Sequence, residues 1–218
     1  MKKLILIIAI TVLTAINVNS QTQFGVKTGL NIANLSGDLE GADSRLGLNF
    51  GVFAEILISE KLIFQPELLY SMQGAKSDYS GEAYSNKVKF KYNYLNVPLI
   101  IKYYVVNNFA VEVGPQIGFL LSAKDDYTFN YGGEPTNEEY DSKNDLKSID
   151  FGLNFGVSYT ISKKISFGAR YNVGLYNIDD ATHYNVMPQI DEIAEDNGEY
   201  DFEIKNSVFL FSVGYLFN

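Results

Sequence analysis

The sequence predicts an all-β protein: an eight-stranded antiparallel up-and-down transmembrane β-barrel with short periplasmic turns and long extracellular loops. Three observations predict it. Hydrophobicity alternates with a period of two along most of the chain. The connections between the alternating runs are short and long in turn, as in barrels that cross a bilayer. The face opposite the apolar one is rich in glycine, interleaved with Asn, Ser and Gln, whereas a solvated strand surface favours Thr, Lys and Glu.

The elements follow in order. Residues 1–20 read as a signal peptide. Lys2 and Lys3 precede an apolar run from Leu4 to Ile16, and Val18 and Ser20 stand at −3 and −1 of a cleavage site before Gln21. The apolar run is shorter than the about 20 residues a helical span needs. Residues 21–218 then form one barrel domain. In 22–34, Phe24, Val26, Thr28, Leu30 and Ile32 share a face, and Gly25, Lys27, Gly29, Asn31 and Ala33 share the other. In 46–58, Leu46, Leu48, Phe50, Val52, Ala54, Ile56 and Ile58 oppose Asn49, Gly51 and Glu55. Further runs lie near 62–73, 90–105, 109–122, 149–160, 164–176 and 206–217. Each reaches or exceeds the about 9–11 residues of a tilted membrane strand. Segments 59–61, 106–108 and 161–163 are tight turns; 35–45, 74–89, 123–148 and 177–205 are long polar loops.

A soluble lipocalin-like barrel also has eight alternating strands but turns its apolar face inward around a small ligand. The glycines argue for the opposite sense, because a narrow eight-stranded lumen needs small residues. The apolar face carries almost no charge, as lipid contact requires. Aromatics fall at strand ends. Phe24, Phe64, Tyr103, Phe109, Tyr159, Phe167 and Phe217 mark the turn side, and Tyr70, Phe119 and Phe209 the loop side, as two interfacial girdles.

The polar register sends Lys27, Glu55, Glu67, Lys102, Glu112, Asp150 and Arg170 into the lumen. Buried charges must pair. The expectation is an ion-pair network around Arg170 and Lys102 with Glu55, Glu67 and Glu112, acting as a plug rather than a gated ion path. No catalytic, cofactor or metal site is expected. The chain has no Cys and one His, His183, in the last loop near Asp179 and Asp180. The acidic loops read as solvated surface without EF-hand spacing. The net charge of −9 leaves no basic stripe for nucleic acid.

Residues Tyr94-Leu95-Asn96-Val97-Pro98-Leu99-Ile100-Ile101-Lys102-Tyr103-Tyr104 and Val113-Gly114-Pro115-Gln116-Ile117-Gly118-Phe119-Leu120-Leu121 resemble strands of a known family. The opening Phe24-Gly25-Val26-Lys27-Thr28-Gly29-Leu30-Asn31 is similar to its first strand. That family is the outer-membrane β-barrel domain family, also labelled porin-family or PorT-like. The resemblance spans the mature chain and implies an OmpA- or OmpX-like barrel of the cell outer membrane, without catalytic residues. The final strand, 208–218, resembles the C-terminal signal read by the barrel-assembly machinery, although Asn218 follows the expected aromatic Phe217. The function expected is a structural or interaction role with a side-chain-filled lumen. The alternatives are a narrow pore or an accessory of transport or secretion, and a soluble lipocalin-like binder. Expected partners are outer-membrane lipid, the assembly machinery, and an extracellular or envelope protein met by the loops.

Overall fold

The computed structural model describes residues 22–39, 41–80, 85–130, 134–162, 164–180 and 203–217. The predicted signal segment 1–20 and His183 lie outside the described residues.

Ten strands follow in chain order: β1 (Thr22–Gly37), β2 (Asp43–Ser59), β3 (Leu62–Gln73), β4 (Ala75–Ser80), β5 (Ser85–Val106), β6 (Phe109–Asn130), β7 (Thr136–Tyr140), β8 (Ile149–Ser162), β9 (Ile165–Gly174) and β10 (Ile204–Leu216). Eight of them form a closed antiparallel ring, β1-β2-β3-β5-β6-β8-β9-β10, and β10 returns to pair with β1. Closure satisfies the backbone of every wall strand without water, the condition for crossing a bilayer with strands. The start of β1 and the end of β10 meet on the turn side, where the Phe217 amide donates to the Phe24 carbonyl at 2.7 Å.

The face assignment is the decisive feature. Leu30, Leu48, Phe50, Val52, Phe155, Phe167, Phe209, Phe211 and Val213 are exposed on the outside of the ring. Asn31, Asn49, Gln65, Glu67, Asn96, Asn154, Arg170 and Asn172 are buried inside it. A lipocalin arrangement would invert both sets. Of the turn-side girdle, Phe24, Tyr103, Tyr159, Phe167 and Phe217 all project outward and exposed, and Tyr159 and Phe167 face each other across β8 and β9. On the loop side, Phe50 packs on Tyr70 at 5.2 Å between centroids, and Tyr171 on Phe209 at 4.4 Å.

The glycines have two physical causes, only one of which the narrow lumen explains. A Cβ on Gly118 would meet the side chains of Asn96 at 2.9 Å and Tyr94 at 3.3 Å, so there lumenal crowding is the constraint. A Cβ on Gly114 would strike the backbone carbonyl of Leu99 on the neighbouring strand. There the constraint is close approach of two coiled strands, not lumen volume.

Two predicted loops contain strands. The wall hairpin β5–β6 runs 22 residues on each side, well past the membrane-spanning length. Short strands β4 and β7 pair onto its outer half, making a four-stranded blade above the barrel. The blade opens at Gly74, whose φ of 116° turns the chain from β3 into β4. Lys87, Lys89, Asp125, Asp126, Glu138 and Glu139 make these stretches read as loop. Outside the bilayer, backbone pairing needs no apolar face, so strand and charge coexist.

Candidate functional site: the charged lumen and its outer seal

The site is built from strand register. Alternation sends every second side chain inward, and the stagger of the barrel brings residues from distant strands to one level. Glu67 on β3 lies at the centre. Its Oε1 accepts from Lys27 Nζ on β1 at 2.7 Å and from Arg170 Nη2 on β9 at 2.8 Å, and also from the Gln65 amide. Arg170 donates through Nε to Glu112 on β6. Lys102 on β5 completes the chain. It donates to Glu55 on β2 at 2.7 Å and lies 3.9 Å from Glu112. All six side chains are buried. Three cations and three carboxylates thus form one continuous neutral cluster.

Asp150, the seventh ion-pair candidate, stands apart from the cluster. It is buried, but among the described residues no Lys or Arg lies within 4.0 Å of it. Its Oδ2 accepts instead from Asn206 Nδ2 at 2.9 Å, and Asn206 also donates to the Tyr94 hydroxyl at 3.3 Å. The register explains the separation. Asp150 pairs with Gly118 near the loop end of the wall, whereas Arg170 pairs with Gly156 further down. The four carboxylates share a face but not a level, and the one left out restores charge balance in the cluster.

Sequence reasoning missed several participants. Gln65 holds Glu67, and Phe53 places its ring 5.4 Å from Lys27 Nζ, a cation–π contact inside the lumen. An amide ladder joins Asn49, Asn31 and Ser71: Asn49 donates to Asn31 at 2.6 Å, and Asn31 to the Ser71 hydroxyl at 2.9 Å. The inward register contained the signal, because Phe53, Gln65 and Asn31 each lie two or four positions from a charged inward residue on the same strand.

The outer mouth is closed by an apolar cluster that the polar-lumen reading did not anticipate. Leu35, Ala75, Tyr92, Tyr94, Leu120, Ala123, Leu146, Ile178 and Ile204 are buried together. The seal is knitted by backbone bonds between loops: Lys147 donates to Ile178 and Ile178 to Ile204, both at 2.8 Å. Asp125 is buried at its edge, and burial pushes its carboxyl up to about 6, with Asp145 and Asp126 adding repulsion. The turn-side end is different. It opens into a bowl of about 930 Å³ with Glu55 among its lining residues. Among the described residues, no group of three or more His, Cys, Asp and Glu is placed to hold a metal ion.

This architecture is that of a membrane-spanning barrel with its apolar side to lipid. The chain matches the family described as "Outer membrane protein beta-barrel domain" over residues 17–180, about three quarters of its length, and belongs to that family. It is an outer-membrane protein. Among solved structures it is similar to Neisserial surface protein A, at 16% identity and a TM-score of 0.44, covering 89% of this chain and 97% of that one. It is similar to Ail, the attachment invasion locus protein of Yersinia pestis, at 10% identity and a TM-score of 0.46, covering 90% and 99%. It is similar to Acinetobacter baumannii CarO at 11% identity and a TM-score of 0.41, covering 88% and 98%. The comparison with curated proteins finds no match.

Proposed function

We propose that the protein is a structural and interaction barrel, with a wall that anchors extracellular loops and a lumen closed by its own side chains. The observation that carries this reading is the neutral six-charge cluster of Lys27, Glu55, Glu67, Lys102, Glu112 and Arg170 across the middle of the lumen. An eight-stranded barrel is just wide enough for side chains to fill it. A cluster whose charges balance offers a passing ion no uncompensated charge. The apolar seal above adds a second barrier. The competing reading, a narrow pore or a transport accessory, draws on the open bowl at the turn side, which Glu55 of the cluster lines. The reading includes no catalysis. Its partners are outer-membrane lipid around the wall, the barrel-assembly machinery during biogenesis, and an extracellular or envelope protein met by the loops. Reconstitution in planar bilayers tests it: the wild-type barrel stays silent, and stable open events would replace this reading with the pore.

A further inference from the structure

From the rim of the apolar seal we infer a binding site for a divalent cation, calcium in preference to magnesium, formed by the carboxylates of Asp125 and Asp145 with the Ser142 hydroxyl. It is independent of the filled lumen and adds a control of the seal above it.

The fold brings the three groups together. Asp125 lies on the inner register of β6, two positions beyond Ala123 of the seal and directly opposite Tyr140 on β7. After Tyr140 the chain makes a single 3₁₀ turn, Lys143–Asp145, in which the Asp145 amide donates to the Ser142 carbonyl at 3.1 Å. Side chains three apart eclipse in such a turn, so Ser142 and Asp145 share one side. That side faces β6: Ser142 lies against the Asp125 carboxyl, and the Asp145 charge repels it. The next residue, Leu146, is buried in the seal, and the Asp145 carbonyl accepts from the Asp180 amide at 3.0 Å. The turn is thereby pinned over Asp125.

Buried oxygens at this point lack partners. Asp125 is 6% exposed and Ser142 4%, yet among the described residues Asp125 Oδ1 and Ser142 Oγ complete no hydrogen bond. Such groups cost free energy that a bound ion recovers. The charge is uncompensated as well. Among the described residues no Lys or Arg lies within 4.0 Å of Asp125 or Asp145, and the neighbouring lysines are committed elsewhere. Lys91 holds Asp126, Lys124 holds Glu139, and Lys143 and Lys147 donate to the carbonyls of Leu121 and Asn177. Burial, with repulsion from Asp145 and Asp126, pushes the Asp125 carboxyl up to about 6, as in a carboxylate without its counter-charge. Two carboxylates match the two charges of the cation. Calcium takes about six to eight oxygens in flexible geometry and accepts hydroxyl, carbonyl and water ligands, whereas magnesium demands a near-ideal octahedron. A buried carboxylate, a buried hydroxyl and the half-buried carboxylate of Asp145 suit calcium, with water completing its shell on the Asp145 side. With only two carboxylates the affinity is weak, about 1 mM, in the range of extracellular calcium modules. The bound ion ties the 3₁₀ turn to β6 and holds Leu146 in the seal.

The test uses the full mature chain folded in neutral detergent and freed of metal with a chelator. Calcium chloride, and magnesium chloride in parallel, are titrated at pH 7.5 against loop cleavage by a protease that needs no calcium. Terbium luminescence sensitised by tyrosine reads occupancy directly and is competed by calcium. The expected result is protection with a midpoint of about 1 mM calcium and a midpoint roughly 10-fold higher for magnesium. Asp125→Asn and Asp145→Asn each raise the calcium midpoint at least about 10-fold, and the blade control Asp43→Asn/Asp78→Asn leaves it unchanged. Calcium added at pH 6 releases about half a proton per ion from the wild type, where Asp125 is half protonated, and none from Asp125→Asn. Asp145→Asn, at a half-buried side chain, carries the test if Asp125→Asn folds poorly. Cleavage and terbium luminescence that ignore calcium in the wild type would overturn the site. So would protection that survives both substitutions or is lost equally in the control. Equal midpoints for the two ions would overturn the assignment to calcium.

Discussion

Glu67→Gln is the sharpest perturbation of the lumen. Glu67 alone receives both Lys27 at 2.7 Å and Arg170 at 2.8 Å, with Gln65 as a third donor on the same oxygen. The amide keeps the volume and one acceptor but removes the charge, leaving three buried cations to two carboxylates. Removing one partner of a buried ion pair costs about 3–5 kcal/mol, because the survivor stays desolvated. The structure argues for the upper half of that range, since two cations lose their partner at once. Urea unfolding in lipid vesicles, followed by the gel shift between folded and unfolded barrel, reads the loss. With a slope of ~2 kcal/mol per molar urea, the midpoint falls by about 2 M. Adding Lys27→Met to Glu67→Gln restores charge balance and recovers part of the loss, a non-additivity expected of contacting residues. A midpoint lowered by less than about 0.25 M in Glu67→Gln, or strict additivity in the double variant, would refute the claim that the cluster holds the barrel together.

Three more outcomes follow from the same geometry. Asp150→Asn costs less than about 1.5 kcal/mol in that assay, because the amide keeps an acceptor for Asn206 and no ion pair is lost; a loss matching Glu67→Gln would place Asp150 in the network after all. Gly114→Val abolishes the heat-modifiable gel shift, since the new side chain meets the Leu99 carbonyl of the adjacent strand; normal folding would show that the strands can separate there. Asp125, raised from 3.8 to about 6 chiefly by burial, binds its proton more tightly in the folded seal than in the unfolded chain. The seal therefore weakens as pH rises from about 4 to 6, by at most about 3 kcal/mol, and is flat above that. Limited proteolysis at pH 7.5 should proceed more slowly in Asp125→Asn than in wild type, with the two equal at pH 4; equal rates at both values would remove Asp125 from the seal.

The wall was legible in the sequence because the bilayer imposes a strict alternation on it. All eight predicted runs coincide with wall strands, and Leu48, Phe50 and Val52 lie outside as their register requires. Legibility ended where the bilayer does. Lys87 and Lys89 alternate with Val88 and Phe90, yet the charge density of 74–89 and 123–148 reads as loop, so the outer ends of β5 (85–89) and β6 (123–130) were invisible. The lumen was legible in composition but not in pairing. The inward register identifies Glu67 and Arg170 as neighbours in kind; their separation of 103 residues along the chain becomes contact only through the barrel's stagger. For the same reason the inward register makes Asp150 an ion-pair candidate, although among the described residues no Lys or Arg lies within 4.0 Å of it. The apolar seal was hidden because Leu146 and Ile178 are isolated apolar residues in polar loops, and only the fold brings them together.

The central claim is that β8 and its neighbours turn apolar residues to lipid and enclose a filled interior. The chain has no cysteine, so single cysteines report without background. Asn154 is 1% exposed inside the ring, and Phe155 next to it is 48% exposed outside. Asn154→Cys and Phe155→Cys are each placed in vesicles and treated with a water-soluble maleimide from both sides; a fluorophore at each position is then challenged with a lipid-borne quencher. Lipid quenches the fluorophore at position 155, and position 154 shows neither quenching nor labelling from either side. Rapid labelling at 154 would mean an open, hydrated lumen, and lipid quenching at 154 with water access at 155 would mean that the barrel is inside out.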